Sequence, residues 1–186
     1  MEFEVLGFPP DAPKLRLDHE RFAYAGKFVM SNTGKAIVRD PSESVDSGEA
    51  ATLIGAASFS ADRDDPGRAR IRYVTVREDR RGEGVGPRLL RFTAESLGEQ
   101  FGAVAIGVNN PIAYQACYRA GFVWTGREAG MAELLLRYDP GGATGERYRG
   151  GFEVFEERDL PATHRTVLDR NADGEPPAVV DVPGGA

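Results

Sequence analysis

The residues best suited to chemistry are Arg81-Gly82-Glu83-Gly84-Val85-Gly86-Pro87. They follow the apolar, β-branched stretch Val74-Thr75-Val76 and a charged run from Arg77 to Arg81. A strand, a glycine-rich loop and a helix start leave backbone N–H groups open at the positive end of a helix dipole. Such donors bind a pyrophosphate. Gly82, Gly84 and Gly86 permit close approach and unusual dihedrals, and Pro87 suits a first helical turn. A P-loop would need Gly-x4-Gly-Lys-Ser/Thr, and no lysine follows these glycines. Gly34-Lys35 is followed by Ala36 and has no upstream glycine at the required spacing. A Rossmann fingerprint would need Gly-x-Gly-x-x-Gly directly after the strand, and here the charged run intervenes.

A second segment has its own logic. Ala103–Val108 reads as a short buried strand. After it, Asn110 is a good N-cap, Pro111 a good first helical residue and Gly121 a good C-terminal cap. Ile112, Ala113, Ala116, Cys117 and Ala120 form an apolar stripe at helical spacing.

Together the two segments resemble the GNAT family, the Gcn5-related N-acetyltransferases. Arg81-x-x-Gly84-x-Gly86 matches that family's acyl-CoA loop, and Asn110-x-x-Ala113 with Gly121-Phe122 matches its later helix. The match is good over residues 50–138, loose before them and absent after them. The resemblance implies an α+β fold: a mixed central sheet splayed between its two middle strands, with helices on both faces. It implies acetyl-CoA as co-substrate and no metal. Val74, Val76, Arg81, Gly82, Gly84, Val85, Gly86 and Asn110 would bind the cofactor. Pantetheine would pair with the backbone of Val74 and Val76, and the Val76 N–H would stabilise the tetrahedral oxyanion.

The resemblance also implies direct attack by a neutral amine of a small molecule or peptide, in a ternary complex. The family's tyrosine acid falls on Cys117, and Tyr118 is one residue away. Cys117 and Tyr118 are therefore the catalytic candidates, with a small core residue as the plainer reading of Cys117. Tyr118 would reach the thioester only from a rotated helix, and Tyr114 would line the pantetheine path. His19, Glu20 and Asp62 are candidate bases by position alone. The alternative function is a GNAT-fold module that binds CoA or acyl-CoA without turnover, as a sensor or interaction domain.

The supporting elements read as follows. Phe3–Leu6 is a strand, 18–30 a helix with Phe22, Ala25 and Val29 on one face, and 36–39 a strand. Residues 41–49 form an acidic loop that would suit a cationic acceptor, or serve only as solvated surface. Strands at 51–59 and 69–76, a helix at 85–101, a strand at 103–108, a helix at 111–120 and strands at 122–125 and 131–137 complete a domain over 1–138. Residues 139–169 extend it, with a strand or hairpin at 148–156, and 170–186 read as a disordered tail.

The chain has 186 residues, enough for one domain with appendages. No apolar run approaches membrane length, and the acidic start does not resemble a signal peptide. One cysteine and two distant histidines offer no disulfide or zinc set. The net charge of −6 disfavours a nucleic-acid surface. A cytoplasmic protein is expected, with no nucleic acid or membrane as partner and a homodimer left open. Of 23 basic residues only Lys14, Lys27 and Lys35 are lysines. That balance fits a halophilic archaeal origin, or simply high-GC coding.

Overall fold

The computed structural model describes residues 1–43, 52–130 and 132–184. The acidic loop expected at 41–49 therefore lies largely outside the described residues. The chain divides into two compact units, 1–104 with 181–186, and 105–180.

In the first unit, β1 (Glu2–Gly7), β2 (Gly34–Arg39), β3 (Leu53–Ala61) and β4 (Arg68–Val76) pair in sequence order, all antiparallel. β2 and β3 are buried on both faces, which explains their near-continuous apolar sequences. One face carries helix α1 (Val85–Gly98), whose Phe92 ring lies 5.5 Å from that of Phe3. The other face is covered by the segment between β1 and β2. There Phe22 and Phe28 pack with Ile37, Leu53 and Ala56, flanked by Leu6, Leu15, Leu17 and Tyr73.

That segment departs from the expected helix at 18–30. It holds a single 3-10 turn, Ala25–Lys27, preceded by Tyr24 in the left-handed region at φ 60°. The reason is tertiary. Phe28 is fully buried while Val29 is 38% exposed, the reverse of the face that an unbroken helix would present. The backbone groups are satisfied elsewhere: Leu15 N–H donates to Phe28 O at 3.0 Å, and Glu78 N–H donates to Arg21 O at 3.0 Å. The buried Lys35 ammonium donates to the carbonyls of Met30 and Thr33, which closes the final turn.

In the second unit, β7 (Glu133–Tyr138) lies between β5 (Ala103–Val108) and β6 (Phe122–Ala129), antiparallel to both. Helix α2 (Pro111–Arg119) falls close to where expected. The stretch read as a strand or hairpin, 148–156, is instead part of helix α3 (Gly145–Glu156), capped by Thr144 Oγ1, which accepts from Arg147 N–H at 3.3 Å. Tyr148, Phe152 and Phe155 recur at helical spacing and are all buried. The aromatic content suggested β structure, but the period of burial is that of a helix. Helix α4 (Ala162–Asn171) follows, again where no helix was expected. Residues 174–184 are neither helix nor strand; Glu175 pairs with Arg149, and Val180 N–H donates to Arg119 O at 2.8 Å.

Among the described residues no helix is long and apolar enough to cross a membrane. None of their His, Cys, Asp and Glu side chains form a group that could hold a metal ion.

Close packing of α3 on α2 yields a test. A Cβ on Gly151 would come within 2.1 Å of the Tyr114 hydroxyl. Gly151→Ala gains about 1 kcal/mol of helix propensity but meets an overpacking cost of about 1–3 kcal/mol and displaces Tyr114. Urea unfolding should show net destabilisation; equal or greater stability would mean that this contact is loose.

Candidate functional site

Strand β4 orients the first set of expected residues. Arg77 N–H donates to Ile54 O at 2.9 Å, continuing the register Gly55↔Val76, Ala56↔Thr75, Ala57↔Val74. Hydrogen-bonded and non-hydrogen-bonded pairs alternate along an antiparallel ladder. Arg77, Thr75 and Tyr73 thus turn their backbone groups toward β3, while Val74 and Val76 turn theirs away from it. In keeping with this, the Val76 carbonyl accepts from Arg81 Nε at 3.4 Å.

The chain then makes a 3-10 turn, Glu78–Arg80, and enters the glycine loop. Gly82 and Gly84 have φ of 82° and 76°, a region in which a side chain is strained. Gly84 is the N-cap of α1 and supplies no side-chain acceptor. The first N–H in this helix to find a carbonyl is that of Arg88, which donates to Gly84 O at 3.4 Å. Among the described residues, the N–H groups of Gly82, Gly84, Val85 and Gly86 have no acceptor within the protein, while that of Glu83 closes the turn through Arg81 and Gly82. No other heavy atom lies within 4 Å of a Cβ placed on Gly82. This is an open row of donors at a helix N-terminus, suited to an anion. Arg81 is half exposed beside it, and the Arg88 guanidinium donates to the Glu83 and Gly84 carbonyls at 3.2 and 3.3 Å.

An ion-pair network supports this loop, and sequence reading missed it. Arg77 is 2% exposed. Its Nη1 donates to Glu43 Oε2 at 2.6 Å, its Nη2 to Glu43 Oε1, and its Nε to Asp79 Oδ1 at 2.7 Å. Arg80 reaches Glu43 Oε1 at 2.6 Å, Asp40 Oδ2 at 2.9 Å and Glu83 Oε2 at 2.8 Å. Hydrogen bonds from Ser42 and then Arg80 hold the Asp40 carboxyl down to about 2. The Arg77 guanidinium lowers Glu43 and Asp79. The only signal in the sequence was the density of opposite charges near 40 and 80; nothing local paired them.

The other expected residues lie on α2. Asn110 caps it, its Oδ1 accepting from Ala113 N–H at 2.9 Å. Cys117 is 1% exposed, and burial pushes its thiol well above the ordinary value. Tyr118 is also buried, and burial raises its hydroxyl. That hydroxyl accepts from Trp124 N–H at 3.2 Å and lies 3.3 Å from the Tyr114 hydroxyl, which donates to Arg147 O at 3.0 Å. The rings of Tyr114 and Tyr118 pack against Tyr148 of α3. Of the candidate bases, His19 and Glu20 are exposed, and His19 lines a shallow groove of about 450 Å³ with Phe22, Tyr24 and Lys27. Asp62 is buried. Burial works against its charge, but hydrogen bonds from Asp64 N–H and Arg68, with Arg70 nearby, outweigh that and hold its carboxyl low.

A model of the acetyltransferase (GNAT) family matches residues 11–122. The chain belongs to the GNAT family. The matched span includes the whole β4–loop–α1 unit and α2, and ends at Phe122 of the Gly-Phe pair. Among curated proteins none matches. Of solved structures, a Bacillus subtilis acetyltransferase in complex with CoA is 15% identical, over 74% of this chain and 97% of that one, with a TM-score of 0.52. An IAA acetyltransferase from Bacillus cereus is 16% identical over 73% and 95%, with a TM-score of 0.49. The Tetrahymena Gcn5 structure is 16% identical over 63% and 76%, with a TM-score of 0.46. At such identity the B. subtilis likeness bears on the fold, which is the α+β GNAT fold expected from the sequence.

The ion-pair network should have a pH signature. Folded-state values lowered below the unfolded ones add stability above the unfolded carboxylate range, and that stability is lost as pH falls through the folded values. The melting temperature should be level above about pH 5 and fall between about 4 and 2, the lower limit set by Asp40. Glu43→Gln should flatten that fall and cost about 2 kcal/mol at neutral pH, because it weakens a charged hydrogen-bond partner of buried Arg77. An unchanged acid transition in this variant would show that Glu43 carries no linkage.

Proposed function

We propose that this GNAT-family protein transfers the acetyl group of acetyl-CoA to an amine of a small molecule or peptide. The observation that carries the reading is the set of N–H groups at Gly82, Gly84, Val85 and Gly86 that find no acceptor among the described residues, one short turn beyond a strand whose Val74 and Val76 turn their backbone groups away from β3. The loop donors and Arg81 would hold the pyrophosphate. Pantetheine would lie along Val74 and Val76, in the way the family resemblance implies. The Val76 N–H would polarise the thioester carbonyl and receive the oxyanion. The nitrogen of a neutral amine attacks the carbonyl carbon, the C–S bond breaks, CoA departs as thiolate, and the nitrogen gives up its extra proton to water to leave the neutral amide. Most of the acceleration is positional.

Calorimetry with acetyl-CoA tests the cofactor. Gly84→Val, which puts a β-branched side chain at φ 76°, should abolish binding in a protein that still folds, because the loop donors are displaced. Unchanged affinity in that folded variant would remove the loop from the cofactor site.

Proton delivery to the thiolate is proposed for Cys117 or Tyr118, with Asn110 ordering the start of their helix. A thiolate of pKa about 8.5 leaves without obligatory protonation near neutral pH, and deep burial suits both side chains to stability. Cys117→Ala and Tyr118→Phe should each lower kcat by less than about 100-fold, the low end for a general acid. A larger drop at unchanged melting temperature would name that residue as the acid.

The second reading is an acyl-CoA-binding module without turnover. It draws on Asp62 being engaged by Arg68 and Arg70, which leaves the exposed His19 and Glu20 as the expected bases. Thiol release from acetyl-CoA across a panel of amines separates the two. Binding with no release from any amine favours the module.

A further inference from the structure

The donor row contains an acid. Glu83 sits between Gly82 and Gly84, two loop residues whose N–H groups find no acceptor among the described residues. A free carboxylate there would repel the phosphates of CoA and compete for the same donors. Its oxygen is instead taken by Arg80 Nε at 2.8 Å. Arg80 is itself anchored from the opposite side, by Asp40 Oδ2 at 2.9 Å and Glu43 Oε1 at 2.6 Å. Hydrogen bonding to Glu83, Asp40 and Glu43 keeps this guanidinium charged. Arg81, half exposed with Glu78 3.9 Å away, and Arg88, held on the Glu83 and Gly84 carbonyls, add positive charge to the loop.

We propose that Arg80 is a positioning residue for the anion site: it neutralises Glu83 and holds its carboxylate off the donor row. This rests on the acyl-CoA reading above. Arg80 acts through Glu83 rather than on the cofactor. Removing it should therefore weaken CoA binding only while residue 83 is an acid.

The test is a double-mutant cycle read by calorimetry with CoA at about 50 mM salt. Arg80→Gln should weaken binding about fivefold or more, and the deficit should shrink at 0.5 M salt, where the Debye length is only a few ångström. Arg80→Gln with Glu83→Gln should recover to within about twofold of wild type. Glu83→Gln alone should stay within about twofold, because Arg80 already neutralises that charge. Loss of Arg80 leaves Asp40 and Glu43 facing each other, so the melting temperature of each variant is measured alongside. If Arg80→Gln does not fold, Glu83→Gln decides: a larger change in either direction overturns the proposal. A deficit in Arg80→Gln that the second substitution does not repair would overturn it too, as would unchanged affinity in the folded single variant. Wild type that binds no CoA would remove the acyl-CoA reading itself; binding with an unresponsive cycle removes only the role of Arg80.

Discussion

A guanidinium buried to 2% exposure at the end of β4 is the constraint on which the functional half of the first unit depends. A charge so placed is tolerated only when it is paired and its hydrogen bonds are filled. Arg77 achieves this with Glu43 from the β2–β3 connection and Asp79 from the turn that follows it. The same residue's N–H closes the β3–β4 ladder on Ile54. One residue therefore ends the strand, sets the parity of Val74 and Val76, and anchors the turn leading to the glycine loop. Leaving that guanidinium without its carboxylates would cost several kcal/mol, so alternative paths for the chain after Val76 are disfavoured.

The loop shows the opposite economy. Most of its N–H groups are left without acceptors, which a buried backbone could not sustain. At exposed Gly82 and half-exposed Gly84 and Gly86 they persist because water can satisfy them in the free protein. Rigid support below and open donors above amount to preorganisation: the ion pairs take up the ordering cost at folding, and an arriving anion meets donors already in place. Positive φ at Gly82 and Gly84 makes this geometry accessible without strain.

In the second unit the aromatic side chains of α2 and α3 form a packed cluster, with Tyr118 and Tyr114 joined through their hydroxyls. Tyr118 also satisfies the N–H of Trp124. A side chain so employed has a structural reason to be a tyrosine, independent of any chemistry. The residue beside it in the chain, Cys117, is enclosed and has its thiol pushed up by that enclosure. The rings of Tyr114 and Tyr118 are packed by Tyr148 of α3, an element that lies beyond the family resemblance.

Local pattern was sufficient wherever one segment's chemistry decides its own shape. The β-branched run of β4, the glycines of the loop, Pro87 in the first turn of α1 and the Asn110-Pro111 start of α2 each specify backbone geometry within a few residues. All of these were legible, and with them the family. Where burial by distant partners outvoted local preference, the sequence misled. Phe28 rather than Val29 is buried, so 18–30 is a turn-rich cover and not a helix; Tyr148, Phe152 and Phe155 are gathered by α2, so an aromatic segment is helical. Hidden altogether was the pairing of Glu43 with Arg77, because an ion pair spanning 34 positions depends on where the folded chain brings two charges, and neither residue's neighbours record it. Sequence by itself determined the motifs and the strand–loop–helix order. Tertiary structure alone decided which charges meet and which tyrosines are enclosed, because both are properties of distance and of exclusion from water.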